Sequence, residues 1–214
     1  TYEEQLKFKE RKVLNNLLRI GKFREEEIHM LPIMGMEEPW RYRNKAQFPF
    51  GLNKEGDTVA GFYAGRTHSI IENEDCLLGV EENKEILARI KSYRKEQGIR
   101  PYDEAAHKGL VRHALIRKGF KTGELMVCLI INGKKLPGAR ALVEKLCEIP
   151  GMKSISYSIN TEKTNVIMGK EIVNLWGDTC ITDYIGSVRY QISPQSFYQV
   201  NPVQTEKLYG TALE

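Results

Sequence analysis

Two stretches that read as strands, 111–120 and 124–131, the second with the apolar run 126–131, are separated only by Lys121-Thr122-Gly123. Stretches of that length with a three-residue connection containing glycine predict an antiparallel β-hairpin. Leu142, Val143 and Leu146 then recur on one side of a helix predicted over 139–147, Pro150-Gly151 ends it, and a further strand is expected at 154–159. Hairpin, helix and strand in this order give an α+β unit whose sheet is mainly antiparallel, with flanking helices.

The flanking sequence extends the same architecture. Thr1-x-x-Glu4 has the form of a capping box, and Leu6, Val13, Leu14, Leu17 and Leu18 follow at helical spacing as far as Gly21. After Pro39 short β-prone runs at 45–50, 58–63 and 68–71 predict a meander, and Ile86, Leu87 and Ile90 predict an amphipathic helix over 82–97 stopped by Gly98. Three or four more short strands are expected between 165 and 191. Asn201-Pro202 opens a last helix with an apolar stripe at Leu208, Tyr209, Ala212 and Leu213. The chain stops inside that helix, so its expected partner is a further domain, and the sequence reads as part of a longer protein. The organisation expected is a unit over 1–192 and the start of a second domain over 193–214.

At 41% hydrophobic and 28% charged residues, the 214-residue chain has the composition of a globular protein and not of a coiled coil or a disordered segment. No apolar run approaches the roughly 18 residues of a membrane span, and the N-terminus lacks the apolar core of a signal peptide. A cytoplasmic setting with no membrane partner is expected. The cysteines at 76, 128, 147 and 180 form no CxxC pair, which makes reduced thiols the default, and the four histidines have no metal-binding spacing.

Charge distribution is more informative than the net +4. Between Lys91 and Lys121 nine Lys or Arg stand against three acids, a local charge of +6. Trp40-Arg41-Tyr42-Arg43-Asn44-Lys45 sets three cations among two aromatics, a mixture suited to phosphates and unpaired bases. Solvated faces of ordinary elements are the alternative for both clusters. Cys76 lies in an acidic loop before a helix, where a buried apolar role is less natural. The stretch Ser193-Pro-Gln-Ser-Phe-Tyr-Gln-Val-Asn201 puts two aromatics and three amides ahead of a helix N-terminus, materials for stacking a base or binding a polar ligand, or simply a polar loop with core aromatics.

That stretch resembles the "SP-x-x-F-x-Q-x-N" motif of the bacterial RNA uracil-C5 methyltransferases, which make 5-methyluridine in ribosomal or transfer RNA. Tyr42-Arg43-Asn44-Lys45-Ala46 resembles that family's "YR-x-[KR]-A", and Asp75-Cys76-Leu77-Leu78 matches the position of its last iron–sulfur cysteine, where "C-P-I" is commoner. Order and spacing agree over essentially the whole chain.

The resemblance implies a central RNA-binding region followed by the opening helix of a Rossmann-like methyltransferase domain, inactive by itself. It implies that Gln199 contacts S-adenosylmethionine and that Phe197 packs against a flipped uracil or the cofactor's reactive end. Arg43, with Arg41 and Lys45, would contact RNA. Cys76 would be one ligand of a [4Fe–4S] cluster, which needs four thiolates and is therefore expected in the full-length protein and not in this chain alone. Ribosomal RNA of the large subunit (23S) is the implied partner, with transfer RNA as the alternative. A stand-alone RNA-binding module relying on residues 91–121 is the competing reading.

Overall fold

A computed structural model describes residues 1–73 and 75–213; Glu74 of the acidic loop lies outside the described residues. The chain divides into two compact units, Thr1–Pro39 and Trp40–Glu214.

In the first unit, α1 (Tyr2–Arg19) starts as its sequence dictates: the Thr1 hydroxyl accepts the Glu4 backbone N–H at 3.3 Å, and Glu3 and Glu4 face the positive end of the helix dipole. The chain then returns along the helix. The Ile33 and Met36 backbone N–H groups donate to Glu10 Oε1 at 2.9 Å and to the Tyr2 hydroxyl at 2.7 Å.

The second unit is built on a seven-stranded sheet in the order β3-β2-β1-β4-β5-β6-β7. The strands are β1 (Lys45–Leu52), β2 (Thr58–Tyr63), β3 (Ile70–Glu72), β4 (Val111–Lys118), β5 (Leu125–Ile131), β6 (Met152–Ile159) and β7 (Glu171–Gly177). All neighbouring pairs are antiparallel except β5 and β6. Parallel neighbours need a crossover, which α3 (Ala139–Cys147) provides. Together with α2 (Glu82–Glu96), α3 covers one face, where Ile86, Ile90, Tyr93, Leu142 and Leu146 pack on Phe48, Ala114, Ile116, Val127 and Leu129.

β5 is buried along its whole length because both sheet faces are covered, and this accounts for its unbroken apolar run. Its Cys128 and Ile130 pack with Leu115 on the face away from the helices, against Ile167 and Met168. A separate hairpin, β8 (Ile181–Ile185) with β9 (Val188–Ile192), packs beside them through Met126, Ile181, Ile192 and Tyr198. The last helix, α4 (Pro202–Leu213), has Asn201 as its cap, its Oδ1 accepting the Gln204 N–H at 3.0 Å.

The architecture matches the α+β expectation, with local differences. His68 and Ser69 belong to a turn, in which Ala64 N–H donates to Ser69 C=O, so β3 begins only at Ile70. Residues 165–170 form no strand, since side chains hold their backbone: Asn160 Nδ2 bonds the Val166 and Ile167 carbonyls and Ser158 Oγ accepts from Gly169 N–H. No described helix is long and apolar enough to cross a membrane.

The helix-free face buries an unusual number of polar groups: Arg112, His113, Arg117, Ser154, Ser156 and Ser158. Burial, with Arg112 beside it, pushes His113 from its ordinary 6.5 down to about 4. An unfolded chain would take up that proton at higher pH than the folded one. The stability tied to neutral His113 is therefore complete above pH 6.5 and lost progressively as pH falls toward 4, about 3 kcal/mol in all. In urea titrations, wild type should lose about that much more stability than His113→Gln over this interval; parallel profiles would refute the assignment.

Candidate nucleic-acid interface

Two buried side chains determine the conformation of residues 193–201. Asn44, 3% exposed at the entrance to β1, donates from Nδ2 to the Gln199 carbonyl at 2.8 Å, and its backbone N–H donates to the Val200 carbonyl at 2.9 Å. Arg117, on β4 directly opposite Lys45 and equally buried, donates from Nη2 to the Pro194 and Ser196 carbonyls at 3.2 and 2.5 Å. Burial pushes the Arg117 guanidinium down to about 10, which leaves it charged at neutral pH. A turn at 193–196, closed by Ser196 N–H on Ser193 C=O and by the paired Ser193 and Ser196 hydroxyls, completes the loop.

Side chains of this anchored loop alternate between core and solvent. Tyr198 is buried, its hydroxyl donating to Asp183 at 3.2 Å; the same carboxylate accepts the Phe120 and Lys121 backbone N–H groups of the β4–β5 turn. Phe197, between the two sets of anchored carbonyls, is 87% exposed. A phenyl ring held in water by a fixed backbone can stack on a planar ligand without first ordering its loop. Gln199 is half-buried, and among the described residues its side-chain amide makes no hydrogen bond while its carbonyl is held by Asn44.

The expected basic residues divide. Arg43 is exposed and Lys45 half-buried, neither has a carboxylate partner among the described residues, and both line a cleft of about 260 Å³ with Phe48, Phe62, Cys76 and Val200. Burial, then the charges of Arg117 and Arg43, lower the Lys45 pKa, so an anion here would relieve an uncompensated cluster. Arg41, expected beside them, has its guanidinium engaged within the fold. Its guanidinium pairs both Asp75 oxygens at 2.6 and 2.9 Å and also donates to the Cys76 and Gly79 carbonyls, holding Asp75 below the usual carboxylate range. It clamps the 75–79 loop over β1.

The +6 stretch is not an open basic surface. Lys91, Lys118 and Lys121 pair with Glu72, Glu82 and Glu206. Arg94 is buried on the Ile99 carbonyl and the Thr58 hydroxyl, Arg112 on the Asn160 and Glu162 carbonyls, and Arg117 on the loop. Six of its nine cations are thus spent on the fold itself.

Cys76 stands at the cleft without a second thiol. Cys128 is buried in β5, Cys147 ends α3, and Cys180 precedes β8. Among the described residues no three His, Cys, Asp or Glu side chains converge, so these residues do not by themselves fit a four-thiolate cluster. Sequence reasoning also missed Asn44, Arg117 and Asp183, whose partners lie far away in the chain.

No protein-family model matches the chain. All of it aligns with an uncharacterized RNA methyltransferase of Halalkalibacterium halodurans at 46% identity, and with others of Clostridium acetobutylicum at 45% and Staphylococcus aureus at 41%. It covers 46% of the first two relatives and 47% of the third, so the chain spans about half their length. Among solved structures, the tRNA (uracil-54, C5)-methyltransferase of Pyrococcus abyssi in complex with S-adenosyl-L-homocysteine is similar over the whole chain and 48% of its own, with a TM-score of 0.78 and 25% identity.

Asn44→Ala removes one bond to the loop and leaves the Gln199 carbonyl unpaired. It should cost about 1–2 kcal/mol. Amide hydrogen exchange across 193–205 should accelerate while β4 and β5 stay protected; uniform acceleration would mean that Asn44 merely supports the whole sheet.

Proposed function

We propose that this chain is the RNA-recognition part of an S-adenosylmethionine-dependent RNA (uracil-C5) methyltransferase that makes 5-methyluridine, with large-subunit ribosomal RNA as substrate. The observation that carries the reading is the anchored loop: the two segments that resemble the family's motifs, 155 residues apart, meet through the Asn44–Gln199 bond and present Phe197 to solvent. Similarity over the whole of this chain, and about half of each relative, to RNA methyltransferases supports the activity class. Likeness to a transfer-RNA enzyme supports a second reading in which the substrate is transfer RNA.

In this proposal the target uridine leaves its stack and meets the Phe197 ring. Arg43 and Lys45 hold phosphate near it, Arg41 positions the loop that carries Cys76, and Gln199 contacts S-adenosylmethionine, which supplies the methyl group when bound. Activation of uracil at C5 calls for a thiolate adding to C6 and a base removing the C5 proton. Cys128, pushed up to about 11 by burial, and Cys147, also raised by burial, are unsuited to be that thiolate, and the family resemblance implies a nucleophile beyond residue 214. As a cluster ligand, Cys76 requires three thiolates from beyond the four cysteines here.

The test is transfer of labelled methyl from S-adenosylmethionine to unmodified 23S ribosomal RNA and to transfer RNA by the full natural gene product, with nucleosides identified after digestion. Labelled 5-methyluridine is expected; its absence from both RNAs would refute the proposal. Phe197→Ala should lower turnover by roughly 10- to 100-fold, the worth of one lost base stack. Gln199→Ala should raise the KM for S-adenosylmethionine, and wild-type kinetics in both variants would remove the loop from the site.

A further inference from the structure

We propose that a second cleft on the helix-free face, bounded by Tyr63, Tyr102, Arg112, His113, Lys163 and Asn165, receives an unpaired base of the RNA substrate. This rests on the RNA reading above and names a further contact for that substrate.

The cleft consists of two adjoining chambers of about 400 and 300 Å³, within the range of small-ligand sites. A β-bulge between Val111 and His113 brings consecutive side chains, Arg112 and His113, to its wall where a regular strand would send one to each face. Both are more than nine-tenths buried, and each keeps a ring or guanidinium nitrogen, His113 Nδ1 and Arg112 Nε, with no partner in the protein. Buried polar atoms left unpaired beneath a cleft are costly unless a ligand or bridging water meets them.

The walls supply what a base needs. Tyr63 is 43% exposed and sits edge-on to His113 and His68 at 6.3 and 6.0 Å, and the Arg112 guanidinium lies over the Tyr102 ring at 4.5 Å. His113 is neutral at physiological pH, so it adds no charge to the cleft wall. Asn165 offers an amide donor and acceptor at the rim, and Lys163 a cation for the adjoining phosphate. Glu104, the acid present, is held by His68 Nδ1 at 2.8 Å. Aromatic walls with amide and imidazole edges suit an unpaired base better than an acidic or purely apolar ligand.

Position ties this cleft to the Phe197 loop. His113 and Arg117 share one face of β4, four residues or about 13 Å apart, so a single strand of RNA could span both.

The test uses the chain with a fluorescein-labelled, unstructured RNA of about 12 nucleotides containing 4-thiouridine, read by anisotropy and by mass-spectrometric location of photo-adducts. Tyr63→Leu should weaken binding about tenfold, the exposed Lys163→Ala less, and adducts should map to Tyr63 or Tyr102 as well as to Phe197. Lys163→Ala serves as the readout should Tyr63→Leu fail to fold. Adducts confined to the Phe197 loop, with both variants binding as wild type, would overturn the cleft while leaving the RNA reading intact. Absence of binding and of any adduct in wild type would overturn both.

Discussion

Buried donors facing backbone carbonyls hold the functional surface in shape. Asn44 and Arg117 aim their N–H groups at four consecutive-region carbonyls, those of Pro194, Ser196, Gln199 and Val200, and so convert a nine-residue segment without regular structure into a rigid platform. A charged group buried against carbonyls is expensive, and Arg117 is shifted accordingly. What it supplies is geometry: with both flanks of Phe197 fixed, the ring has nowhere to collapse. Asp183 does the same from below, binding Tyr198 and the β4–β5 turn with one carboxylate.

Strand β1 carries the other half of the arrangement. Its first five residues pair with β4 and its last three with β2, so the sheet forks beside Lys45–Phe48. The cleft of Arg43, Lys45 and Cys76 occupies that fork, with the Phe48 and Phe62 rings 5.2 Å apart at its base. Arg41, at a left-handed φ of 54°, turns the chain into the strand and at the same time clamps the loop that bears Cys76. Backbone topology, more than any single side chain, thus creates the concavity.

Much of the fold was legible because periodicity reports burial. The continuous apolar run of β5, the stripes of α2 and α3 and the Asn201-Pro202 cap each follow from local rules. Residues 165–170 were harder, since their hydrogen bonds come from the side chains of Ser158 and Asn160, and no period records such a partner. Phe197 and Gln199 stood out because their segment resembles a motif of a known family. Asn44, although inside such a motif, could not be assigned its partner 155 residues away. Summed charge misled most over 91–121, because a count cannot tell a solvated lysine from an arginine folded into the core.

Under the proposed RNA reading, that inward use of arginine and lysine would set how the surface meets RNA. Each phosphate neutralised by a free cation releases condensed counterions, and affinity won that way is indifferent to sequence and strongly weakened by salt. With six of nine cations in the basic stretch already engaged, that stretch has few left to act so. Discrimination would then rest on stacking and base-edge contacts, which only a suitably unpaired strand can make. Under the RNA reading proposed above, the fold's consumption of its own charge would act as a filter against the large excess of non-substrate RNA.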